Sequence, residues 1–327
     1  IGQRHFRNLK KINSKINFFS IREKKQAPKL NKNNKIIKKN FDCSKNNIKE
    51  ISFSHVEKNY IDTAFITNPT SKHINTAIKL ANNNCNLFIE KPLSHNLKNV
   101  DKLKKIIKSK KLICQIGFQT RYDELLHKVN RIIKKKTYGE IINANINHCH
   151  YLPHHHKYED YKTSYASNKN LGGGVLLCFS HEIDYASYLF GNPKSIIPIQ
   201  CFSDKFLNVD VETSAIFNIK YKNGVSVNFN LNFLRKDLYR TCEIQFEKAY
   251  LKWDLKNNLI KINNKNIKII KSKNRMRDDL FIRQLKNVSK NFRKKLNLTN
   301  TIQNAIENLK IILKIKNAFK KKKELFF

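Results

Sequence analysis

Leu87-Phe88-Ile89-Glu90-Lys91-Pro92 is a short apolar strand that runs directly into Glu-Lys-Pro. Upstream, Asp62-Thr63-Ala64-Phe65-Ile66-Thr67-Asn68-Pro69 is a second such strand, closed by an Asn-Pro turn. Between them Ile74, Ala77, Ile78 and Ala81 fall at i, i+3, i+4 and i+7, one face of a helix. Strand, turn, helix, strand is a βαβ unit, and open α/β sheets bind ligands at the carboxyl ends of their strands. Lys91 stands at that rim beside a proline that fixes the backbone. A lysine there can hydrogen-bond a substrate oxygen, or pass a proton if burial lowers its pKa.

The same alternation extends outward. Further strands are expected at 16–21 and 112–118, and Leu97, Val100, Leu103, Ile106 and Ile107 mark a second helix. This predicts a doubly wound parallel sheet up to residue 118. The Lys- and Asn-rich span 29–49 reads as an exposed, mobile connection. Beyond 118, Leu125, Leu126, Val129, Ile132 and Ile133 outline a helix, and 141–151 alternates like a strand. Longer strands follow at 211–221, 225–234, 240–246 and 250–255, with Lys222-Asn223-Gly224 as a hairpin turn. A last helix, 301–316, carries Ile302, Ala305, Ile306, Leu309 and Leu313. The expected α/β organisation is a nucleotide-binding half, 1–118, and an α+β half, 119–327, with an open, mostly antiparallel sheet.

The chain has 327 residues and a formal charge of +40. Such charge ordinarily points to nucleic acid. Only 11 of the 65 basic residues are arginine, however, and lysine is spread through loops and helix faces alike. A binding stripe concentrates arginine and aromatics instead, so no specific nucleic-acid partner is expected, only salt-sensitive sticking to polyanions. Seven scattered cysteines without a Cys-x-x-Cys pair suit a reducing, cytoplasmic compartment. No apolar run approaches the roughly 18 residues of a membrane span.

Three constellations carry chemistry. Gly2 can close a Gly-x-Gly-x-x-Gly fingerprint, with Arg4 and His5 opening a helix whose N-terminus faces a pyrophosphate. Arg22, about twenty residues on, suits the 2′-phosphate of NADP where an acid would grip the NAD ribose; a plain surface charge is the alternative. In Leu171-Gly172-Gly173-Gly174-Val175-Leu176-Leu177-Cys178-Phe179-Ser180-His181-Glu182-Ile183-Asp184-Tyr185 the glycines allow close backbone approach. An apolar helix then presents His181 and Asp184 on one face. The run His148-Cys149-His150 to His156 invites a metal, but no carboxylate or cysteine completes a ligand set, so none is expected. The aromatic run Tyr158 to Tyr165 suits a polyhydroxylated ligand as well as it suits ordinary packing.

These motifs together resemble the glucose–fructose oxidoreductase/inositol dehydrogenase (Gfo/Idh/MocA) family over essentially the whole chain. The carrying stretches are 1–9, 66–74, 88–93, 117–122 and 171–185, and 151–161 resembles a branch linked to sugar-nucleotide and polysaccharide biosynthesis. The resemblance implies a Rossmann-type domain followed by the open-sheet domain. It implies NAD or NADP as cofactor and hydride transfer at a carbon of a sugar or sugar nucleotide. Lys91 and His181 would be catalytic, and Asn68, Pro69, His73, Glu90 and Lys91 would line the nicotinamide. Arg121, Tyr151, Tyr161, Tyr165 and Asp184 would meet the substrate, and a homo-oligomer through the C-terminal sheet is implied. Two departures stand out. The family's first strand and early glycines have no counterpart, so an upstream segment is expected. Many members also carry an aspartate where Cys178 stands, leaving Asp184 or the cofactor ribose to substitute. The rival reading is a non-catalytic nucleotide-binding or regulatory protein on the same fold.

Overall fold

The computed structural model describes residues 1–22, 27–31, 35–38, 40–56, 61–203, 206–272, 278–294 and 299–327. The first half begins with α1 (Gly2–Ile12), β1 (Phe18–Ser20), β2 (Lys29–Leu30), β3 (Ile36–Lys38) and β4 (Ile48–Glu50). It continues through β5 (Thr63–Ile66), α2 (His73–Asn82), β6 (Asn86–Ile89), α3 (Val100–Ser109) and β7 (Cys114–Ile116). β5, β6 and β7 form a parallel sheet in that order, and β1 pairs in parallel with β4. Leu87, Phe88, Ile89, Cys114 and Ile116 are all buried, the continuous apolar reading of strands covered on both faces. α2 and α3 bury Ile74, Ala77, Ala81, Val100 and Leu103 against them.

Among the described residues no ladder joins β1 to β5. α1 bridges the two small sheets instead. Its His5 ring lies 5.5 Å from Phe65 and 5.1 Å from Phe88, while Phe6 meets Phe18 edge-on at 4.8 Å. Most described residues of the span 29–49, read as an exposed, mobile connection, are exposed or half-buried, but the span also contains regular structure. β2 pairs with β3, Ile48 begins β4, and Cys43 and Ile48 are buried; residues 32–34 and 39 lie outside the described residues. Two buried apolar side chains were enough to anchor a lysine-rich stretch.

The second half comprises α4 (Glu124–Lys134), β8 (Ile141–Cys149), α5 (Val175–Cys178), α6 (Ser180–Phe190), β9 (Pro193–Phe202), β10 (Ser214–Tyr221) and β11 (Ser226–Asn232). Then come β12 (Tyr239–Phe246), β13 (Tyr250–Asp254), β14 (Leu259–Asn263), β15 (Ile267–Lys271), α7 (Asp279–Lys294), α8 (Ile302–Lys321) and β16 (Leu325–Phe326). Nine strands form one sheet, β15-β14-β13-β12-β8-β11-β10-β9-β16, antiparallel except for the parallel pair β8–β11. Its inner face buries Ala144, Ile146, Phe217, Phe229, Ile244 and Trp253 against α4, α6 and α8. The outer face alternates out of phase. There Asn218, Asn228 and Asn145 form an amide ladder, at 2.8 Å and 3.1 Å, across three strands. In a chain so rich in lysine, β8 and β11 carry no Lys or Arg, and β9 and β10 one lysine each.

The C-terminal helices do not stay with the second half. α7 lies against α1, Thr301 bridges Gln115, and Ala305 and Ile306 join the core of the first half. The parallel sheet ends with β7 at Ile116, and α7 and α8 stitch the halves together.

Candidate functional site

The turns after β5, β6 and β7 gather at one rim. His73, at the start of α2, ties two of them, its ring nitrogens lying 2.9 Å from the carbonyls of Asn68 and Pro92. Asn68 donates to Thr76 Oγ1 at 2.9 Å, and its own Oδ1 is buried without a partner among the described residues. Glu90 is buried and sits 2.6 Å from His5 Nε2. Burial opposes its ionisation, but His5 and Lys91 outweigh that and hold its carboxyl below the usual range. Gly117 makes room for it, since a Cβ there would stand 2.9 Å from Glu90 Oε2.

Lys91 reaches across to the second half, where its Nζ donates to the Cys178 carbonyl at 2.6 Å. Burial lowers its pKa, against the pull of Glu90 and Glu182. Among the described residues one of its three ammonium protons has a partner, which leaves two. Three residues on, His181 is buried with both ring nitrogens unpartnered among the described residues, its ring edge-on to Phe118 at 5.7 Å. Burial pushes its pKa well below the ordinary value, and Lys91 and Arg240 push the same way. The Lys91 and His181 singled out by sequence are therefore brought near each other, Lys91 being bonded to the Cys178 carbonyl three residues before His181.

The glycine run sets that approach. At Gly173 a Cβ would meet the Tyr165 and Ala166 carbonyls at 2.5 Å, so no side chain fits. Gly172, at φ +81°, faces Thr70 and His95 of the first half. The Cys178 thiol is pushed up to about 11 by burial and carries no negative charge to place beside His181. Tyr165 is hydrogen-bonded to it, and that partner with burial holds its phenol protonated well above the usual value.

Most of the other expected site residues have polar partners of their own. Arg121 grips Asp184 through Nε (2.7 Å) and Nη2 (3.0 Å) and also reaches the Asp184 carbonyl at 3.1 Å. Asp184 is thus no carboxylate partner for His181, and the two residues expected to meet substrate meet each other instead. Arg22 donates to Glu50 at 2.8 Å and to the Phe41 carbonyl at 3.2 Å. Arg4 pairs with Asp278 at 3.1 Å and covers Phe281, tying α1 to α7. Tyr161 donates to the Leu207 carbonyl at 3.2 Å, and Tyr151 meets His154 edge-on at 5.1 Å. His150 and His155 have ring centroids 4.3 Å apart, and burial depresses them to about 4 and about 2. Among the described residues no group of three or more His, Cys, Asp or Glu is placed to hold a metal. Sequence reading missed Glu182 and Arg240, which pair at 2.6 Å. The one available signal was a glutamate on the apolar stretch of a helix.

The N-terminus of α1 completes the rim. Among the described residues it has no side-chain cap and no acid in its first turn, and the positive dipole end of a helix favours an anion. Gly2 lies close to Thr67, whose Oγ1 a Cβ would meet at 3.1 Å. A parallel-sheet half whose strand-end turns carry Lys91, bonded to a second half that carries His181, has the organisation of a two-domain dinucleotide-binding α/β protein. Residues 1–118 match the profile described as an oxidoreductase family with an NAD-binding Rossmann fold, and 126–252 match the GFO/IDH/MocA C-terminal domain. The chain belongs to the Gfo/Idh/MocA family, and its first 118 residues are that family's NAD-binding domain.

Among its relatives, scyllo-inositol 2-dehydrogenase (NAD(+)) of Bacillus subtilis is 30% identical over 136 residues, 40% of this chain and 36% of that one. Myo-inositol 2-dehydrogenase of Thermotoga maritima is 25% identical over 177 residues, 52% and 49% of the two chains. Matches to the curated relatives span between 36% and 60% of their length. Levoglucosan dehydrogenase complexed with NADH superposes with a TM-score of 0.81 at 13% identity, over 99% of this chain and 95% of that one. Aldose-aldose oxidoreductase from Caulobacter crescentus gives 0.75 at 15%, over 86% and 84%. At such identities the superpositions show a shared fold.

Proposed function

We propose that this protein transfers a hydride between NAD(P) and a hydroxyl-bearing carbon of a sugar or sugar derivative, sugar nucleotides included. The observation that carries this is the convergence of Lys91 with the unpartnered, buried His181 at the rim of the nucleotide-binding sheet. The inositol dehydrogenases among the relatives support the substrate class. The open end of α1 at Gly2 would hold the pyrophosphate, and Asn68, Pro69, His73, Glu90 and Lys91 would border the nicotinamide, which supplies or accepts the hydride when bound. Arg22 is engaged by Glu50, so a 2′-phosphate has to compete with a carboxylate, and NAD is placed ahead of NADP.

In the oxidative direction the substrate hydroxyl gives its proton to a His181 nitrogen while the carbinol C–H pair leaves as hydride and a C=O bond forms. Lys91 donates to that oxygen and stabilises its growing negative charge. The Cys178 carbonyl aims the ammonium from behind. Tyr151 and Tyr165 stay in this reading as substrate contacts, whereas Arg121 and Asp184 act by holding α6. Seven free cysteines suit the reducing cytoplasm, and the lysine-poor outer sheet face is where a second copy would dock.

The test pairs fluorescence titration of NADH and NADPH with turnover across inositols, aldoses, sugar acids and sugar nucleotides. Turnover of one of these, abolished by Lys91→Ala, is the expected result. Tight NADH binding with no turnover of any of them would overturn it in favour of a non-catalytic nucleotide-binding protein. The neutral Cys178 thiol is the observation that favours this second reading.

A further inference from the structure

Glu182 follows His181 on α6 and is fully buried. Its Oε1 accepts from Arg240 Nε at 2.6 Å and lies 3.1 Å from His148 Nδ1. Arg240 and His148 are register partners on β12 and β8, so two adjacent strands reach one helical carboxylate. His148 is itself fixed by stacking on Phe179, at 3.6 Å and 12°. The cluster is not closed. Glu182 Oε2 and Arg240 Nη2 are both buried without partners among the described residues.

The charged and titratable groups acting on His181 come from four elements. They are Lys91 from the turn after β6, Arg240 from β12, His148 from β8 and Glu182 from α6 itself. Of these only Glu182 is negative, and Arg240 with His148 outweighs burial to keep it ionised. Cys178 offers a neutral thiol, and Asp184 is taken up by Arg121. A proton arriving on His181 therefore meets two cations and one anion.

We propose that Glu182 is a positioning residue that supplies the counter-charge for His181 when the imidazole takes the substrate's proton. Glu182 exchanges no proton and touches no substrate; it acts through its field and through the strand pair that pins α6. Its part in turnover rests on the hydride-transfer reading, but its electrostatic content can be measured on the resting protein.

The experiment follows the His181 imidazole by NMR across pH in the full chain, assigned by the signal lost in His181→Asn. Arg240→Gln removes an opposing cation while His148 still faces the Glu182 carboxylate at 3.1 Å and favours its charged form, so the His181 midpoint should rise by about one unit. Arg240→Gln with Glu182→Gln should lose that rise, and adding Cys178→Asp to this pair should bring it back. Glu182→Gln alone is the second measurement, and there the midpoint should move down. Equal midpoints in Arg240→Gln and the double variant overturn the proposal. In turnover the acid limb of the pH profile should move in the same order. A wild type that oxidises no sugar removes the hydride-transfer reading, while the titration still decides the role of Glu182.

Discussion

Helix α6 is anchored from two regions of the molecule, and the two anchors are built differently. At the turn after β7, Arg121 closes on both carboxylate oxygens and the carbonyl of Asp184. From the sheet, Arg240 and His148 share one oxygen of Glu182 and leave the other open. Burial raises the Asp184 carboxyl in spite of Arg121, whereas Glu182 is held below the usual range in spite of burial. A bidentate pair spends its hydrogen bonds on each other and fixes geometry. An open pair leaves a field to act on a neighbour, and the neighbour here is His181.

The largest effect expected lies outside both anchors. Lys91→Ala should lower kcat by about 10²–10⁴ with NADH affinity retained, because in the proposed reaction the lysine acts on the substrate oxygen. A near wild-type kcat would take Lys91 out of the mechanism. His181→Asn should reduce turnover comparably and also flatten the acid limb of the pH–rate curve; an unaltered limb would make His181 a structural residue. Breaking the closed anchor should show in stability instead. Arg121→Ala leaves Asp184 buried and unpaired, a loss of about 3–5 kcal/mol in urea unfolding. A loss below about 1 kcal/mol would show that this anchor is no more than a surface ion pair.

Gly173→Ala tests the approach that brings the two halves together. Its methyl would sit 2.5 Å from two carbonyl oxygens, and overpacking of this kind removes about 1–3 kcal/mol; unchanged thermal stability would show that the loop gives way. The smallest effect separates the anchors by sign. Glu182, depressed in the fold, contributes stability above its unfolded pKa of about 4.3 that is lost as pH falls through its folded value. Asp184, raised in the fold, contributes in the opposite sense as pH rises from about 3.9. Glu182→Gln should therefore show a shallower fall in Tm below about pH 4 than the wild type, and an equal slope would detach Glu182 from the acid response.

What was legible in the sequence was local. The β5–α2–β6 unit and the helix bearing His181 could be read because apolar spacing and turn residues lie within a dozen positions of one another. β9 was not, since Pro193 and Pro198 read as breakers; the sheet accepts Pro198 next to a register shift between Ile216 and Phe217. The return of α7 and α8 to the first half is a long-range contact with no local signature. The site divides along the same line. Lys91 and His181 follow recognisable turns, but Arg240 and Glu182 are 58 positions apart, and nothing nearby marks either as paired. The pairing of Arg121 with Asp184 was hidden for the same reason, so two residues that satisfy each other looked like two residues free to meet a ligand.

The lysine-free strands β8 and β11 in the middle of the nine-stranded sheet have a colloidal consequence. With a net charge of +40 and lysines on β9, β10, β13, β14 and β15, two copies repel over most of their surface and least through that central strip. Lowering the Debye length from about 30 Å at 0.01 M salt to about 10 Å at 0.1 M removes the repulsion but leaves the amide ladder untouched. Self-association through this strip should therefore strengthen with salt, while adhesion to any polyanion weakens with it. Sedimentation velocity in rising salt separates the two by the sign of the change alone.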